Sequence, residues 1–219
     1  MTDKAKTEEP EAIPRGAVIP PSVIPAGLDL DSGDVMFTAG KNWKDRLVRW
    51  ATRHRGEKKS QANHQQLIYA QNMILSFTMG DGPKYFSFQD YWDLMTERGE
   101  EWVVYRHRPE PPPDMRAVLR GEMQYAAQNW DYSHAELGLQ LFDNLLEKIR
   151  GKRVILFRRL GKLWKSGVVC STGSSMILKR VSWLPPFAEY FSPDDTIDYI
   201  KAHPKDWSEV VRSTGWGDK

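Results

Sequence analysis

The stretch Asn63-His64-Gln65-Gln66-Leu67-Ile68-Tyr69-Ala70-Gln71-Asn72-Met73-Ile74-Leu75-Ser76-Phe77-Thr78 reads as two strands folded about a tight turn. Leu67, Ile68, Tyr69 and Ile74, Leu75, Phe77 supply the bulky residues that strands favour, and Gln71-Asn72 is the turn between them. His64 opens the first strand, and its alternate neighbours Gln66 and Ile68 share its face. Gly80-Asp81-Gly82-Pro83 marks the next turn, Tyr85 to Phe88 a third strand and Trp102 to Arg106 another.

Upstream, Asp31-Ser32-Gly33-Asp34 is a turn cluster leading into the short strand Val35-Met36-Phe37-Thr38. Asn42 caps a helix to about Arg53, with Trp43, Leu47, Trp50 and Ala51 at helical spacing. The charge run Arg53 to Lys59 reads as a solvated loop. Downstream, Phe88 to Arg98 has helical periodicity, Glu110-Pro111-Pro112-Pro113 is a break, and helices are expected over Met115 to Gln128 and Leu137 to Ile149. Gly151 to Lys165 alternates basic and apolar residues without a clear period. Gly167-Val168-Val169 then leads into a helix beginning at Cys170-Ser171, and the remainder reads as loop-rich with a short helix over Thr196 to Ala202.

Residues 1 to about 30 are rich in Pro, Glu, Lys and Ala and form an extended or disordered arm. Ile13, Val18, Ile19, Val23 and Ile24 are apolar enough to lie along a protein surface. The division is thus an arm over residues 1–30 and one domain over 31–219, within the size range of a single core. Nine Trp and eight Phe supply core material for it.

A net charge of +2 gives no global field for nucleic acid, and none is expected as a partner. The N-terminus has no apolar signal region and no run has the length of a membrane span, so synthesis in the cytoplasm is expected. One cysteine excludes an intrachain disulfide and a Cys-based zinc site. No metal constellation and no nucleotide loop is visible, and no cofactor is expected. Gly161-Lys162 and Lys165-Ser166-Gly167 lack phosphate-loop spacing.

Cys170 is therefore a buried apolar filler, a bystander or a reactive thiol. Its place at the start of a helix supports the last reading, because unpaired backbone N–H groups and the helix dipole stabilise a thiolate there. His64, of the five histidines, opens a strand where a neutral imidazole could take the thiol proton and return it to a leaving group. The backbone N–H of Cys170 or Ser171 would form most of an oxyanion hole. Tyr69, Trp43 and Gln66 are candidate pocket residues, although the two aromatics read first as core.

The order of these features resembles the circularly permuted NlpC-type papain-like hydrolases, a group that includes the lecithin–retinol acyltransferase-like proteins. Gly33-Asp34-Val35-Met36-Phe37 matches their opening Gly-Asp-aliphatic strand, and Trp43 to Arg53 the helix that follows. Asn63-His64 matches their strand start, and Cys170-Ser171 the late cysteine that opens a helix. Asn129-Trp130-Asp131-Tyr132 and Phe191-Ser192-Pro193-Asp194-Asp195 are weaker matches on either side of the Cys helix. The resemblance covers roughly residues 31 to 210.

It implies an α+β, papain-like fold: a small antiparallel sheet carrying His64, packed on the helix bearing Cys170. It also implies a third polar residue about twelve positions after the histidine, which here is Ser76. Serine can accept an imidazole N–H but carries no charge. Asn72, Thr78, Gln66 and Gln89 are the alternatives. The implied function is hydrolysis of an amide or isopeptide bond through a Cys170 acyl-thioenzyme, with peptidoglycan stem peptides as first-choice substrate. Delivery without a signal would then come by release at lysis or carriage in a phage particle. Two rivals are a lipid or thioester acyl hydrolase or transferase with the same dyad, for which the Trp-containing stretch Arg153 to Lys165 would form an interface, and an inactive structural or virion-associated protein docked through its arm.

Overall fold

The structure is a computed structural model that describes residues 14–20, 28–43, 45, 46, 49, 61–78, 82–108, 112–131, 134–150 and 169–217. Its centre is a seven-stranded sheet in the order β1-β7-β6-β2-β3-β4-β5. The strands are β1 (Ala17–Ile19), β2 (Val35–Ala39), β3 (His64–Ala70), β4 (Met73–Thr78), β5 (Gly82–Ser87), β6 (Glu101–His107) and β7 (Trp207–Ser213). Neighbours pair antiparallel except β1, which runs parallel to β7. The helices are α1 (Phe88–Glu97), α2 (Pro113–Asn129), α3 (His134–Arg150), α4 (Cys170–Arg180) and α5 (Pro193–Ala202). The architecture is α+β.

Strand alternation divides the core into two. Val35, Phe37, Leu67, Leu75 and Phe77 point towards Leu119 and Met123 of α2 and Ile177 and Leu178 of α4. Met36, Ile68, Ile74, Trp102 and Val104 point the other way, against Phe88, Tyr91, Trp92 and Met95 of α1. Both faces of the central strands are thus covered, which is why Leu67-Ile68 and Ile74-Leu75 are apolar without a break.

The sheet corrects the expectation of a small antiparallel one. It has seven strands and is mixed. Trp207–Ser213 is a full strand in a region expected to be loops and short helices. The pairing steps from Val104↔Val211 to Tyr105↔Glu209, so Val210 is an extra residue in β7 itself; it interrupts the inward–outward alternation, and no period of two is readable. The arm also contributes. Ala17 to Ile19 pairs with Val211 to Ser213, Gly16 N–H donates to Val210 C=O at 2.8 Å, and Leu30 is buried. Pro14 and Pro20 bound a strand of only three residues, too short to stand out from Pro-rich surroundings. Ala17 and Ile19 pack on this chain's own core, and Ile13, Val23 and Ile24 lie outside the described residues.

Gly33 and Asp34 start β2 for clear reasons. Gly33 has φ +94°, and a Cβ there would lie 2.4 Å from Leu119 and 2.6 Å from Trp183. Buried Asp34 takes two hydrogen bonds from Arg106 of β6, both 2.8 Å, and one from the Asp31 N–H at 2.8 Å. This anchor bonds β2 to β6 at the end of the sheet away from His64.

The helix expected from Asn42 is present in outline. Trp43, Asp45, Arg46 and Arg49 are helical, and Asn42 Oδ1 accepts the Asp45 N–H at 2.9 Å. Its remaining residues, the charge run from Arg53, Tyr132, and the basic stretch Gly151 to Lys165 lie outside the described residues.

Candidate functional site

Helix α4 begins at Cys170 because Val169 is extended, with φ −98° and ψ 168°, and its C=O accepts the Gly173 N–H at 2.8 Å. Gly173 fits where no other residue would: a Cβ there would lie 2.4 Å from the Phe77 ring of β4. The first turn of α4 therefore closes directly on the sheet. It meets β3 at Gln65, beyond Leu67↔Leu75, the first paired position in the β3–β4 ladder. The helix takes Gln65's backbone groups: Ser174 Oγ donates to its C=O at 3.4 Å, and its N–H is directed to the Cys170 thiol. The thiol thus rests against the residue immediately after His64.

His64 pairs with Thr38 of β2, and its Nε2 lies 3.0 Å from Ser76 Oγ of β4. This is the contact that the twelve-residue spacing implies. The chain leading to His64 is fixed from two sides. Asp194 of α5, buried, accepts the N–H groups of Gln61 at 2.8 Å and Ala62 at 3.0 Å. Asn63 accepts the Gly40 N–H at 2.7 Å and donates to Asp45 at 2.9 Å. Asp194 is held in turn by a capping box between Ser192 and Asp195 at the start of α5. The Ser192-Pro193-Asp194-Asp195 segment thus acts structurally, steadying the approach to the histidine.

Both principal groups are neutral at pH 7. Burial, seconded by the Arg98 charge, lowers the His64 imidazole to about 4. Burial raises the Cys170 thiol to about 11, against the opposing pull of backbone hydrogen bonds from Gln65, Ser171 and Cys170 itself. The expected thiolate stabilisation at a helix start is overridden. A dipole contribution is typically below about 1 kcal/mol, whereas full burial can move a titration by several units.

The other expected residues separate. Ser171 is buried in the first turn beside Cys170. Gln66 is buried on the His64 face and its Nε2 donates to the Tyr91 hydroxyl. Tyr69 is not a wall of this site: five residues along β3 from His64 corresponds to roughly 16 Å. There it receives a hydrogen bond from Gln124 and packs on Tyr85 with ring centroids 4.8 Å apart. Trp43 is 70% exposed, so it is not a core aromatic. Among the alternatives to Ser76, Thr78 donates to the Gly82 C=O at 3.3 Å and Gln89 to Asp93 at 2.9 Å. Asn72 sits in the β3–β4 turn, where its C=O accepts the Phe88 N–H at 2.8 Å.

Sequence reading did not single out Tyr91, Gln65 or Asp194 for this neighbourhood. Tyr91 arrives on α1, and a core aromatic at helical spacing gives no sign that its hydroxyl meets a glutamine on another element. Gln65 and Gln66 were the available signal, because two adjacent amides inside an otherwise apolar strand require an explanation.

No protein-family profile matches the chain, and no curated protein does. Among solved structures it is similar to the metalloprotein yiiX of Escherichia coli O157:H7. That match has a TM-score of 0.39 at 13% identity, over 83% of this chain and 97% of that one. The likeness is too distant to bear on function. No described helix is long and apolar enough to cross a membrane.

Proposed function

We propose that this chain is a cysteine hydrolase of papain-like type, in the permuted NlpC-type arrangement, cleaving an amide or isopeptide bond. Peptidoglycan stem peptides are the first-choice substrate. The observation that carries the reading is the 3.0 Å contact between His64 Nε2 and Ser76 Oγ, made beside the residue whose backbone meets the Cys170 thiol.

With both groups neutral at rest, the reaction begins by general-base catalysis rather than from a stored ion pair. As the substrate carbonyl approaches, the Cys170 proton passes to His64 Nδ1 and the sulfur bonds to the carbonyl carbon. Charge on the carbonyl oxygen is met by N–H groups at the start of α4, among them those of Cys170 and Ser171. The C–N bond then breaks, and His64 gives its proton to the departing amine. Water attacks the thioester, its proton going to His64, and the acid leaves as the thiol re-forms. Ser76 holds the imidazole by its far nitrogen throughout.

A second reading, a structural protein that retains this fold without turnover, is favoured by the same pair of neutral groups. A thiol held near 11 and an imidazole near 4 oppose charge separation. The two readings part on one experiment. The full chain is incubated with purified muropeptides and, separately, with acyl esters, and the products are weighed by mass spectrometry. Release of a stem-peptide fragment that Cys170→Ala abolishes, with its thermal melt unchanged, is the expected result. Ester cleavage alone would move the assignment to acyl hydrolysis. Cleavage that survives Cys170→Ala would remove the nucleophile, and no cleavage of either substrate would leave the structural reading.

A further inference from the structure

Helix α3 turns its apolar side outward. Phe142, Leu145 and Ile149 fall within about 60° of one another around the helix axis. They are 58%, 42% and 70% exposed. Leu139 and Leu146, both half-buried, border the same stripe. Asp143, about 100° round from Phe142, is fully buried. An amphipathic helix on a domain that needs no partner does the reverse, keeping carboxylates in water and bulky apolar residues in the core. The stripe on α3 is therefore placed for contact with something outside this fold.

Charge indicates what that is. Lys148 and Arg150 follow the stripe in the last turn of α3. Glu147 falls about 140° round from Phe142, away from the stripe. Residues 151–168 lie outside the described residues, but their sequence carries Lys152, Arg153, Arg158, Arg159, Lys162 and Lys165 with no Asp or Glu. The whole chain is at only +2, so positive charge is concentrated in the sequence beside this helix. A second copy of α3 would set that charge against its like. Nucleic acid would answer the charge but leave the aliphatic part of the stripe in water. A bilayer of anionic lipids answers both, with phosphates for the bases and acyl chains for the stripe.

We infer that the outward face of α3 docks the protein on an anionic lipid bilayer. The helix is not long and apolar enough to cross one, so it lies in the plane of the interface. Phe142, Leu145 and Ile149 enter the acyl boundary, and Lys148 and Arg150 meet lipid phosphates. Lipid is here the surface that holds the protein and not its substrate, so the inference does not rest on the hydrolase reading.

The test is co-sedimentation of the full chain with vesicles of mixed phosphatidylcholine and phosphatidylglycerol, and with phosphatidylcholine alone. Binding to the mixed vesicles is expected, weaker on phosphatidylcholine and weaker with added salt. The double variant Leu145→Glu/Ile149→Glu should lose about tenfold or more in vesicle affinity. Its thermal melt should be unchanged, because both side chains are already exposed. Ile149→Gln, expected to lose severalfold, covers the case in which the double variant does not fold. Val118→Glu, at a 52% exposed position of α2, should bind as the wild type does. Absence of the protein from pelleted anionic vesicles overturns the inference, as does an equal loss in Val118→Glu. A dimer that Leu145→Glu/Ile149→Glu converts to a monomer, without vesicle binding, would overturn it in favour of a second copy. Binding to DNA that the same variant abolishes, with vesicles ignored, would overturn it in favour of nucleic acid.

Discussion

Two sites at opposite ends of the same sheet treat their central polar groups in opposite ways. At the start of β2, Asp34 takes two hydrogen bonds from Arg106 and one from the Asp31 backbone, and Arg106 also donates to the Asp29 C=O at 2.8 Å. Around the β3–β4 opening, both amide atoms of Gln65, Oε1 of Gln66 and Oγ1 of Thr172 are buried without a partner. The Asp34–Arg106 anchor is a closed structural joint, although Ser208 Oγ and Trp207 Nε1 on the neighbouring strand are buried without a partner. The second tolerates unpaired polar atoms that each cost roughly 1–3 kcal/mol. Proteins concentrate such groups where some state other than the resting one uses them, and Cys170 and His64 sit among them.

The largest effect should come from the closed end. Asp34→Ala leaves the Arg106 guanidinium, which is 13% exposed, with only the exposed Asp29 carboxylate at 3.5 Å. Removing one member of a buried pair typically costs about 3–5 kcal/mol. Urea unfolding of this variant should show a midpoint displaced by that amount, with the chain still cooperative. A shift below about 1 kcal/mol would mean that the joint is solvated and the contrast between the two ends is false.

The open end should reveal itself through pH. The folded imidazole of His64 titrates at about 4, below its ordinary 6.5. Between these values the unfolded chain holds a proton that the folded chain refuses, so stability is complete above pH 6.5 and falls as pH drops towards 4. The full difference is at most about 3 kcal/mol, and less if the ring meets solvent. Stability curves from pH 7 to pH 4.5 should slope downwards for the wild type, and His64→Gln should remove most of that slope. Identical slopes in the two proteins would place the imidazole in water.

The elements around these two sites were partly legible in the sequence, for reasons that differ by residue. The β3–β4 hairpin, the α1 helix and the α4 start at Cys170 follow from local pattern, and the structure has them within a few residues. The spacing from His64 to Ser76 carried across a hairpin because two paired strands convert sequence distance into spatial distance. Strand β7 was not legible, because the extra residue Val210 within it breaks the alternation, nor was β1, whose three residues are hidden among prolines. The site's surroundings were hardest to read. Tyr91, Gln65 and Asp194 come from three elements joined only by tertiary packing. The protonation states reversed expectation because local position suggested a dipole effect while burial, a property of the whole fold, set the outcome.

The smallest expected effect is also the sharpest test of what the orphaned amides are for. Gln65 is fully buried and lies under α4 with neither amide atom paired. Methionine has nearly the same length and flexibility and carries no strong polar atom. If the amide does nothing, Gln65→Met removes only a desolvation cost and should raise stability by about 1–2 kcal/mol in urea unfolding. The backbone N–H that meets the thiol is unchanged by the substitution, so alkylation of Cys170 by iodoacetamide should keep its pH profile. Greater stability with unchanged stem-peptide cleavage would make Gln65 a mere tolerance of the fold. Greater stability with cleavage reduced tenfold or more would make the amide a group held unpaired for the reacting state, the trade that the open end of the sheet implies.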